Sequence, residues 1–206
     1  PTLYEMFGTD NFGYSGNRNL KAEKSITDEI YTEFPINKNL DFSTRMFRSN
    51  IFNNIEYVSN QYVNDSDNIS LNQSGITNEL KLRNKNYNFV LYSSFLSSKK
   101  ENGSDQLRRP EKTYGINFTK KIKTPLYGEL DLHLNYNHYG KHFDTHSTSF
   151  STVEIDSTDL IDISISKNIS NNSKFFFTIS NLFDETYQRP HGYNQEKRNI
   201  KFGLRY

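Results

Sequence analysis

Strict alternation of apolar and polar side chains is the feature of this sequence that most constrains its fold. Residues 127–139 show it best, because one row is apolar and the other is entirely polar: Leu130, Leu132, Leu134 and Tyr136 against Glu129, Asp131, His133, Asn135 and Asn137. Successive side chains of a β-strand point to opposite faces, so a period of two predicts a strand with one apolar and one polar face. The same alternation returns at 113–119, 161–166 and 199–206.

The alternating segments predict about nine strands, at 24–35, 38–60, 69–83, 86–97, 111–122, 126–140, 157–168, 173–182 and 197–206. Short connections at 35–38, 83–86, 123–125 and 168–172 alternate with long polar connections at 61–68, 98–110, 141–156 and 183–196. One end of the sheet therefore has tight hairpins and the other has long loops. This asymmetry is typical of outer-membrane barrels, with short periplasmic turns and long extracellular loops.

Composition favours a membrane barrel over a soluble sheet. Only 33% of the residues are hydrophobic and the mean hydropathy is −0.82, which is low for a packed globular core. The polar rows carry charges such as Glu129 and Lys201, which a dry core would not accept but the wet inner wall of a wide barrel does. We therefore predict an all-β protein forming an antiparallel transmembrane β-barrel. A soluble β-sandwich or a lipocalin-like barrel stays open on the pattern alone.

Several other classes lack support in the sequence. There is no run of about 18 apolar residues of the kind that a membrane helix needs. The formal net charge is +1, with acidic and basic residues interspersed, so no nucleic-acid partner is expected. There is no cysteine, no Gly-rich phosphate loop and no nucleophile elbow. We therefore expect no catalytic residues and a protein that is not an enzyme.

Two groups of residues could suggest metal binding. The first is His138, His142 and His146 with Asp144, but intervals of four residues align ligands on a helix, and this segment leaves a strand. We interpret these as polar loop residues and predict no metal site. The second group, residues 64–68, is rich in Asp and Asn, which supply the oxygen ligands that calcium prefers. We interpret it as a solvated loop tip, with calcium binding left open and no other cofactor predicted.

Aromatic residues near strand ends are expected to form the interfacial girdles that anchor barrels at headgroup level. The candidates are Tyr92, Phe95, Tyr136, Tyr139, Phe175 and Phe177. Simple β-propensity of aromatic side chains is the alternative explanation.

Two stretches carry a resemblance to a known family. The first is Pro1–Phe7 followed by residues 16–25, with Asn17, Leu20, Lys21 and Glu23 at the positions of a loop signature. It resembles the signature of TonB-dependent receptors. Arg18 and Ala22 stand where that family favours proline, and the loss of two prolines, which fix φ, implies a less rigid loop here.

The second stretch is similar to the last hairpin of the same family. Its matching residues are Asn181, Leu182, Phe183, Asp184, Tyr187, Gly192, Tyr193, Arg198 and the terminal aromatic Tyr206. Residues 107–110 and 139–144 look most similar to cobalamin receptors within the family.

The resemblance implies that residues 1–206 are the C-terminal part of a barrel of about 22 strands, with an N-terminal plug and the other barrel half absent. It implies location in the bacterial cell outer membrane, contact with its lipid and energy from the TonB protein through the missing part. The implied function is high-affinity uptake of a metal-containing nutrient, with cobalamin as the transported ligand. A siderophore-iron or haem receptor, a diffusive porin-type barrel and a soluble β-domain binding protein are the alternatives.

Overall fold

The computed structural model describes residues 1–64 and 69–206, and this part of the chain is almost entirely β-structure. The elements are α1 (Leu3–Phe7), β1 (Lys24–Asn37), β2 (Leu40–Phe52), β3 (Ile55–Val58), β4 (Gln61–Asn64), β5 (Ile69–Arg83), β6 (Tyr87–Lys100), β7 (Lys112–Thr124), β8 (Gly128–Tyr139), β9 (His142–Thr145), β10 (Thr152–Ile155), β11 (Thr158–Ser170), β12 (Ser173–Ser180) and β13 (Asn199–Arg205).

Nine strands form one sheet in the order β1-β2-β5-β6-β7-β8-β11-β12-β13. Each strand pairs with the next long strand along the chain, and the pairings from β6 to β13 are antiparallel. The nine predicted long strands and their antiparallel order are confirmed. The sheet is not closed, because β1 and β13 lie at its two ends.

Three details of the prediction are wrong. The strand predicted over 38–60 ends at Phe52, because Asn53 adopts a φ of 54°, outside the extended region. The chain then forms the β3–β4 hairpin, whose two turn residues Ser59 and Asn60 both have positive φ, as a two-residue turn that fits the twist of a hairpin requires. A second hairpin, β9–β10, lies within the connection predicted over 141–156.

The opening segment also contains a short helix that was not predicted. Thr2 precedes α1, and its hydroxyl accepts a hydrogen bond from the backbone N–H of Glu5. The Glu5 carboxylate accepts from the backbone N–H of Thr2 in return. This reciprocal capping satisfies two N–H groups that a helix start otherwise leaves unpaired, and so it stabilises a single helical turn.

Contacts divide the chain into two compact units. The first comprises residues 1–30, 46–75 and 97–106, and the second comprises residues 31–45, 76–96 and 107–206. Across the part of the chain that the structure describes, the buried hydrophobic side chains are Tyr14, Leu20 and Leu71. All three belong to the first unit, so in its described residues the second unit has no buried apolar core.

The second unit instead presents an apolar sheet face at its surface. The apolar rows stay in register across strands, since Leu134 lies opposite both Phe118 and Ile163. At the β13 end, Ile200, Phe202 and Leu204 are 58%, 75% and 65% exposed. Soluble monomers rarely expose a continuous apolar surface of this kind. This face is therefore built to contact an apolar medium.

No helix in residues 1–64 or 69–206 has the length and apolar character needed to cross a membrane.

The girdle prediction is wrong for two of the six aromatic residues. Tyr92 lies opposite Gly115, on the polar face, and its hydroxyl donates to the side chain of Asn137. A Cβ atom at Gly115 would lie 2.5 Å from the Tyr92 Oη atom, so the ring can pack here only over glycine. Tyr139 likewise lies on the polar face of β8. The Arg189 guanidinium lies over its ring, 4.0 Å from the ring centroid.

Candidate functional site

One carboxylate in the second unit holds together residues from three of the long connections. Asp144, in β9, is fully buried. Its Oδ1 atom accepts hydrogen bonds from Arg108 Nε at 2.6 Å and from the Thr145 N–H at 2.7 Å. Its Oδ2 atom accepts from the His191 N–H at 2.7 Å. Arg108 belongs to the β6–β7 connection and His191 to the β12–β13 connection, so we call these four residues the Asp144 junction.

The junction also has a backbone component. Arg108 has a φ of 62°, and its N–H donates to the Phe143 carbonyl at 2.7 Å. The Arg108 backbone and side chain therefore both contact the segment that contains Asp144. This fixes the β6–β7 connection against β9 from two directions.

Electrostatics favour the ionised form of Asp144. Burial raises the pKa of this carboxyl, but hydrogen bonds from the Arg108 guanidinium and from the N–H groups of His191 and Thr145 outweigh burial and hold its pKa below the ordinary value of 3.8. The carboxylate is therefore charged at neutral pH, and its hydrogen bonds are of the stronger, charge-assisted kind. The Arg108 side chain is 59% exposed, so solvent screens part of this ion pair.

We expect the junction to open in acid. Because the pKa of Asp144 is lowered on folding, the carboxylate contributes its full stabilisation above the ordinary value of 3.8, and this contribution is lost as pH falls through the depressed folded pKa. Protection of the His191 amide from hydrogen exchange, corrected for intrinsic exchange rates, should be constant at pH 5–7 and fall below about pH 4. Constant protection down to pH 2 would contradict this assignment.

Two histidines lie side by side at the edge of the junction. The ring centroids of His146 and His191 are 4.5 Å apart. His191 Nδ1 accepts a hydrogen bond from the Ser147 N–H at 3.1 Å. His146 Nδ1 accepts from the N–H groups of Thr148 and Ser149 at 3.3 and 3.2 Å. These hydrogen bonds select, for the neutral form of each ring, the tautomer that carries its proton on Nε2.

This tautomer argues against metal binding by the pair. A metal at Nε2 requires the proton on Nδ1, where it would oppose the backbone N–H donors. The other two histidines of the 138–146 segment have different partners. His138 Nδ1 lies 2.8 Å from Asp159 Oδ1, and Nδ1 of the buried His142 lies 3.3 Å from the Gly140 carbonyl oxygen. The structure thus places the side chains of His138, His142 and His146 with different partners. No cluster of three metal-ligating side chains occurs in residues 1–64 and 69–206.

The Asp- and Asn-rich loop tip, noted above for its calcium-type oxygen ligands, lies almost wholly outside the described part of the chain. Of residues 64–68 only Asn64 lies within the described part of the chain, and residues 65–68 lie outside it. Asn64 Oδ1 accepts from the Lys21 N–H at 2.8 Å. Its Nδ2 atom donates to the Asn53 carbonyl at 2.7 Å.

The second sequence signature builds the corner that leads from β12 into its long connection. Asn181 is buried with a φ of 51°. Its Oδ1 atom accepts from the Glu185 N–H at 2.8 Å, and its Nδ2 atom donates to the carbonyl oxygens of Glu185 and Glu196 at 2.8 and 3.3 Å. One amide side chain therefore closes both ends of the connection that carries His191.

The neighbouring signature residues complete this corner. Leu182 N–H donates to the Ile161 carbonyl at 2.8 Å, and Asp184 Oδ1 accepts from the Arg198 N–H at 2.9 Å. The Tyr187 carbonyl accepts from the Gln195 N–H at 3.0 Å. Gly192 has a φ of 86°, and a Cβ there would lie 2.5 Å from Ser147 Cβ. Three aromatic signature residues have exposed side chains: Phe183, Tyr193 and Tyr206.

Replacing Asn181 should loosen this corner. In Asn181→Ala the N–H of Glu185 and the carbonyls of Glu185 and Glu196 lose their partner, and each lost bond costs about 1 kcal/mol. We expect amide exchange at Glu185 to be at least tenfold faster. Asn181→Asp keeps an acceptor for the Glu185 N–H but sets a carboxylate against the two carbonyl oxygens, so exchange should also be faster than in the wild type. Wild-type exchange in Asn181→Asp would contradict this role.

The first signature, in the other unit, holds the β3–β4 hairpin. Asn17 Nδ2 donates to the Tyr62 carbonyl at 3.0 Å, and Glu23 Oε1 accepts from the Ile55 N–H at 2.9 Å. The Lys21 N–H donates to the Asn64 side chain. Leu20 is buried. Two tyrosines of the hairpin, Tyr57 and Tyr62, pack with Tyr14, which stacks on Tyr4. The residues of this signature therefore organise a loop, and they do not assemble a reactive centre.

Sequence reasoning missed the Asp144 junction as a unit. The resemblance marks residues 107–110 and 139–144 only as two separate stretches, and the structure joins them through Arg108 and Asp144. Nothing in the sequence indicated His191 as the third partner. The junction offers guanidinium and imidazole N–H donors at a loop surface, which suits the binding of an oxygen-rich ligand.

Comparisons with known proteins agree with this architecture. A protein-family model described as "TonB dependent receptor-like, beta-barrel" matches residues 1–182. No curated protein sequence matches the chain.

Solved structures match over most of the chain. The ferripyoverdine receptor of the Pseudomonas aeruginosa outer membrane is 15% identical with a TM-score of 0.74, over 92% of this chain and 28% of that one. The ferric-catecholate import receptor from E. coli K12 is 17% identical with a TM-score of 0.70, over 97% and 31%. The ferric yersiniabactin uptake receptor from Yersinia pestis is 19% identical with a TM-score of 0.68, over 88% and 28%. The chain spans less than a third of these proteins. At these identities the likeness shows the fold, and the predicted barrel fold is confirmed.

Proposed function

Since the chain belongs to the family of TonB-dependent receptor β-barrels, we propose that it is the wall and loop portion of an outer-membrane receptor that takes up a scarce metal-containing nutrient. The observation that carries the proposal is the family match over residues 1–182 of a chain that exposes its apolar rows. Both the diffusive porin and the soluble binding domain are disfavoured by that combination.

The proposed division of labour follows the two faces of the sheet. The exposed apolar rows contact outer-membrane lipid, and the polar rows line an interior that water can reach. The long connections, organised by the Asp144 junction and by the Asn181 corner, face outward and help to capture the nutrient. Energy would come from TonB through polypeptide outside residues 1–206, which also supplies the plug and the rest of the barrel.

We favour a ferric siderophore as the nutrient. Support comes from the similar solved structures, which include receptors for ferripyoverdine, ferric catecholates and ferric yersiniabactin. Donors such as Arg108 and the Nε2 atoms of His146 and His191 suit the oxygen-rich surface of such a chelate.

Cobalamin is the second candidate. It rests on the resemblance of residues 107–110 and 139–144 to cobalamin receptors. Those two stretches contact each other through Arg108 and Asp144, so they can act together. A haem receptor has no comparable observation in its favour.

Uptake by whole cells tests the proposal. The full-length gene is expressed in a Gram-negative host without its own siderophore and cobalamin receptors, and uptake of ⁵⁵Fe-siderophores and ⁵⁷Co-cobalamin is measured with and without TonB. We expect TonB-dependent accumulation of at least one ferric siderophore. Accumulation of cobalamin alone would support the second candidate. Uptake that continues without TonB would contradict the proposed function.

A further inference from the structure

Histidine side chains accept three consecutive backbone N–H groups in the turn between β9 and β10. The Ser147 N–H donates to Nδ1 of His191, and the N–H groups of Thr148 and Ser149 donate to Nδ1 of His146. His146 lies in the turn itself, whereas His191 lies in the β12–β13 connection. One of these bonds therefore joins two long connections, and the other two hold the turn.

The two rings also contact each other where these connections meet. Their centroids are 4.5 Å apart, with an interplanar angle of 34°. Beside them Gly192 approaches Ser147 so closely that a Cβ atom at position 192 would lie 2.5 Å from Ser147 Cβ. The backbones of the two connections therefore hold the rings close together. We call His146 and His191 the ring pair.

This geometry suits the neutral form of both rings. A neutral imidazole has one nitrogen without a proton, which can accept from an N–H group, whereas an imidazolium carries protons on both nitrogens. Protonation of His191 would therefore set Nδ1–H against the Ser147 N–H. Protonation of His146 would do the same to the N–H groups of Thr148 and Ser149. Two charged rings in contact would also repel each other.

The carboxylates of the β9–β10 hairpin do not offset this cost, because cations already neutralise them. The ion pairs are Asp144 with Arg108, Glu154 with Lys141 and Asp156 with Lys141. His142, which also belongs to β9, is buried with its Nδ1 atom 3.3 Å from the Gly140 carbonyl oxygen.

In the β12–β13 connection, the charge nearest to His191 in sequence is Arg189. Its guanidinium lies over the Tyr139 ring, 4.0 Å from the centroid. This charge is positive, so it cannot pair with an imidazolium. The other charged side chains lie at the two ends of the connection: Asp184, Glu185, Glu196, Lys197 and Arg198.

We propose that the ring pair makes a pH-sensitive contact between the β9–β10 turn and the β12–β13 connection, closed at neutral pH and open in weak acid. Histidine side chains ordinarily titrate near pH 6.5, within this range. The closed form binds fewer protons than the open form, so its stability is full at neutral pH and falls as the pH is lowered. The Asp144 carboxylate keeps its charge over the same range. We therefore expect opening in two steps, the ring pair first and the Asp144 junction in stronger acid.

The inference goes beyond the proposed function and does not depend on it, because it concerns contacts within residues 1–206. It adds a form of regulation to the fold. Two of the long connections would separate at the ring pair in acidic surroundings, while the sheet and the Asp144 junction stay intact.

Hydrogen exchange of the full-length receptor in detergent micelles tests the inference, with mass spectrometry that resolves single amides at pH 7.5 and 5.5. After correction for intrinsic exchange rates, protection of the amides at 147, 148 and 149 should be at least about tenfold lower at pH 5.5. This size follows from linkage, since one pH unit below 6.5 protonation favours the open form about tenfold for each ring. The His191 amide donates to Asp144 and should keep its protection, as an internal reference.

A double variant separates the ring pair from other titrating groups. In His146→Asn/His191→Asn, each asparagine can place an acceptor near the former Nδ1 position and takes up no proton in this range. We expect protection at 147–149 to be equal at the two pH values. His133→Asn, on the polar face of β8, is the matched control and should keep the wild-type pH response.

Two outcomes would overturn the inference. One is equal protection of the three amides at pH 7.5 and 5.5 in the wild type. The other is a pH response that persists in the double variant, which would assign it to His138, His142 or another group. Loss of TonB-dependent uptake would contradict the proposed function and would leave this result unchanged.

Discussion

Asp144→Asn in the full-length receptor should release the long connections from one another while leaving the sheet intact. The substitution removes the negative charge that Arg108 contacts, and an amide nitrogen would face the His191 N–H, donor against donor. Hydrogen bonds to charged groups contribute about 1.5–3 kcal/mol each, and the exposed Arg108 side chain reduces the ionic part. We expect a local loss of about 3 kcal/mol, on the order of a 100-fold change in equilibrium.

Hydrogen exchange measures this loss directly. The amides of Thr145 and His191 should exchange about 100-fold faster in the variant, because local opening limits their exchange. Asp156→Asn is the matched control, since Asp156 is 90% exposed and its carboxylate pairs with Lys141 at 3.3 Å. Exchange at the centre of β8 should change in neither variant. Equal effects of the two substitutions would show that the junction does not hold the connections together.

The second large effect is expected on the apolar face. Leu134 lies at the middle of β8 between Phe118 and Ile163, in the row that we assign to lipid. A lysine at the midplane of a membrane barrel costs about 2–4 kcal/mol on the lipid face. Leu134→Lys should therefore lower the free energy of unfolding in bilayers by that amount, as measured by denaturant titration of the full-length receptor.

The adjacent residue provides the control. His133 lies on the polar face, where its Nδ1 atom is 3.1 Å from Thr119 Oγ1. His133→Lys places the same charge one position away but in a water-accessible interior, so it should cost less than about 1 kcal/mol. A larger loss for His133→Lys than for Leu134→Lys would reverse the two faces and contradict the assignment.

The regular part of this fold was predictable because successive side chains of a strand point to opposite faces, which gives the sequence a fixed period of two. The local pattern alone is enough to place Leu130, Leu132 and Leu134 in one row. The β3–β4 hairpin was missed because its turn, Ser59–Asn60, lacks the glycine that usually marks a two-residue turn with positive φ. Tyr92 shows a similar limit, since its place on the polar face depends on the glycine opposite it.

The loop site was not predictable in the same way. Arg108 and His191 are separated from Asp144 by 36 and 47 residues, in connections without a repeating period. Two of the three donors to the Asp144 carboxylate are backbone N–H groups, which the residue types in a sequence do not reveal. Asn181 was recognised only through family resemblance, and its role became evident from the carbonyl groups of Glu185 and Glu196 that it contacts.

The most direct test of the whole account is the solvent exposure of consecutive positions along β8. Residues 1–206 contain no cysteine, so single cysteines at positions 130–135 can each carry a spin label once any cysteine elsewhere in the receptor is replaced by serine. In the full-length receptor in bilayers, labels at 130, 132 and 134 should collide with oxygen, which concentrates in lipid, and labels at 131, 133 and 135 with a water-soluble nickel reagent. Six labels that are protected from both reagents, or that show no alternation, would mean that the apolar rows do not face lipid.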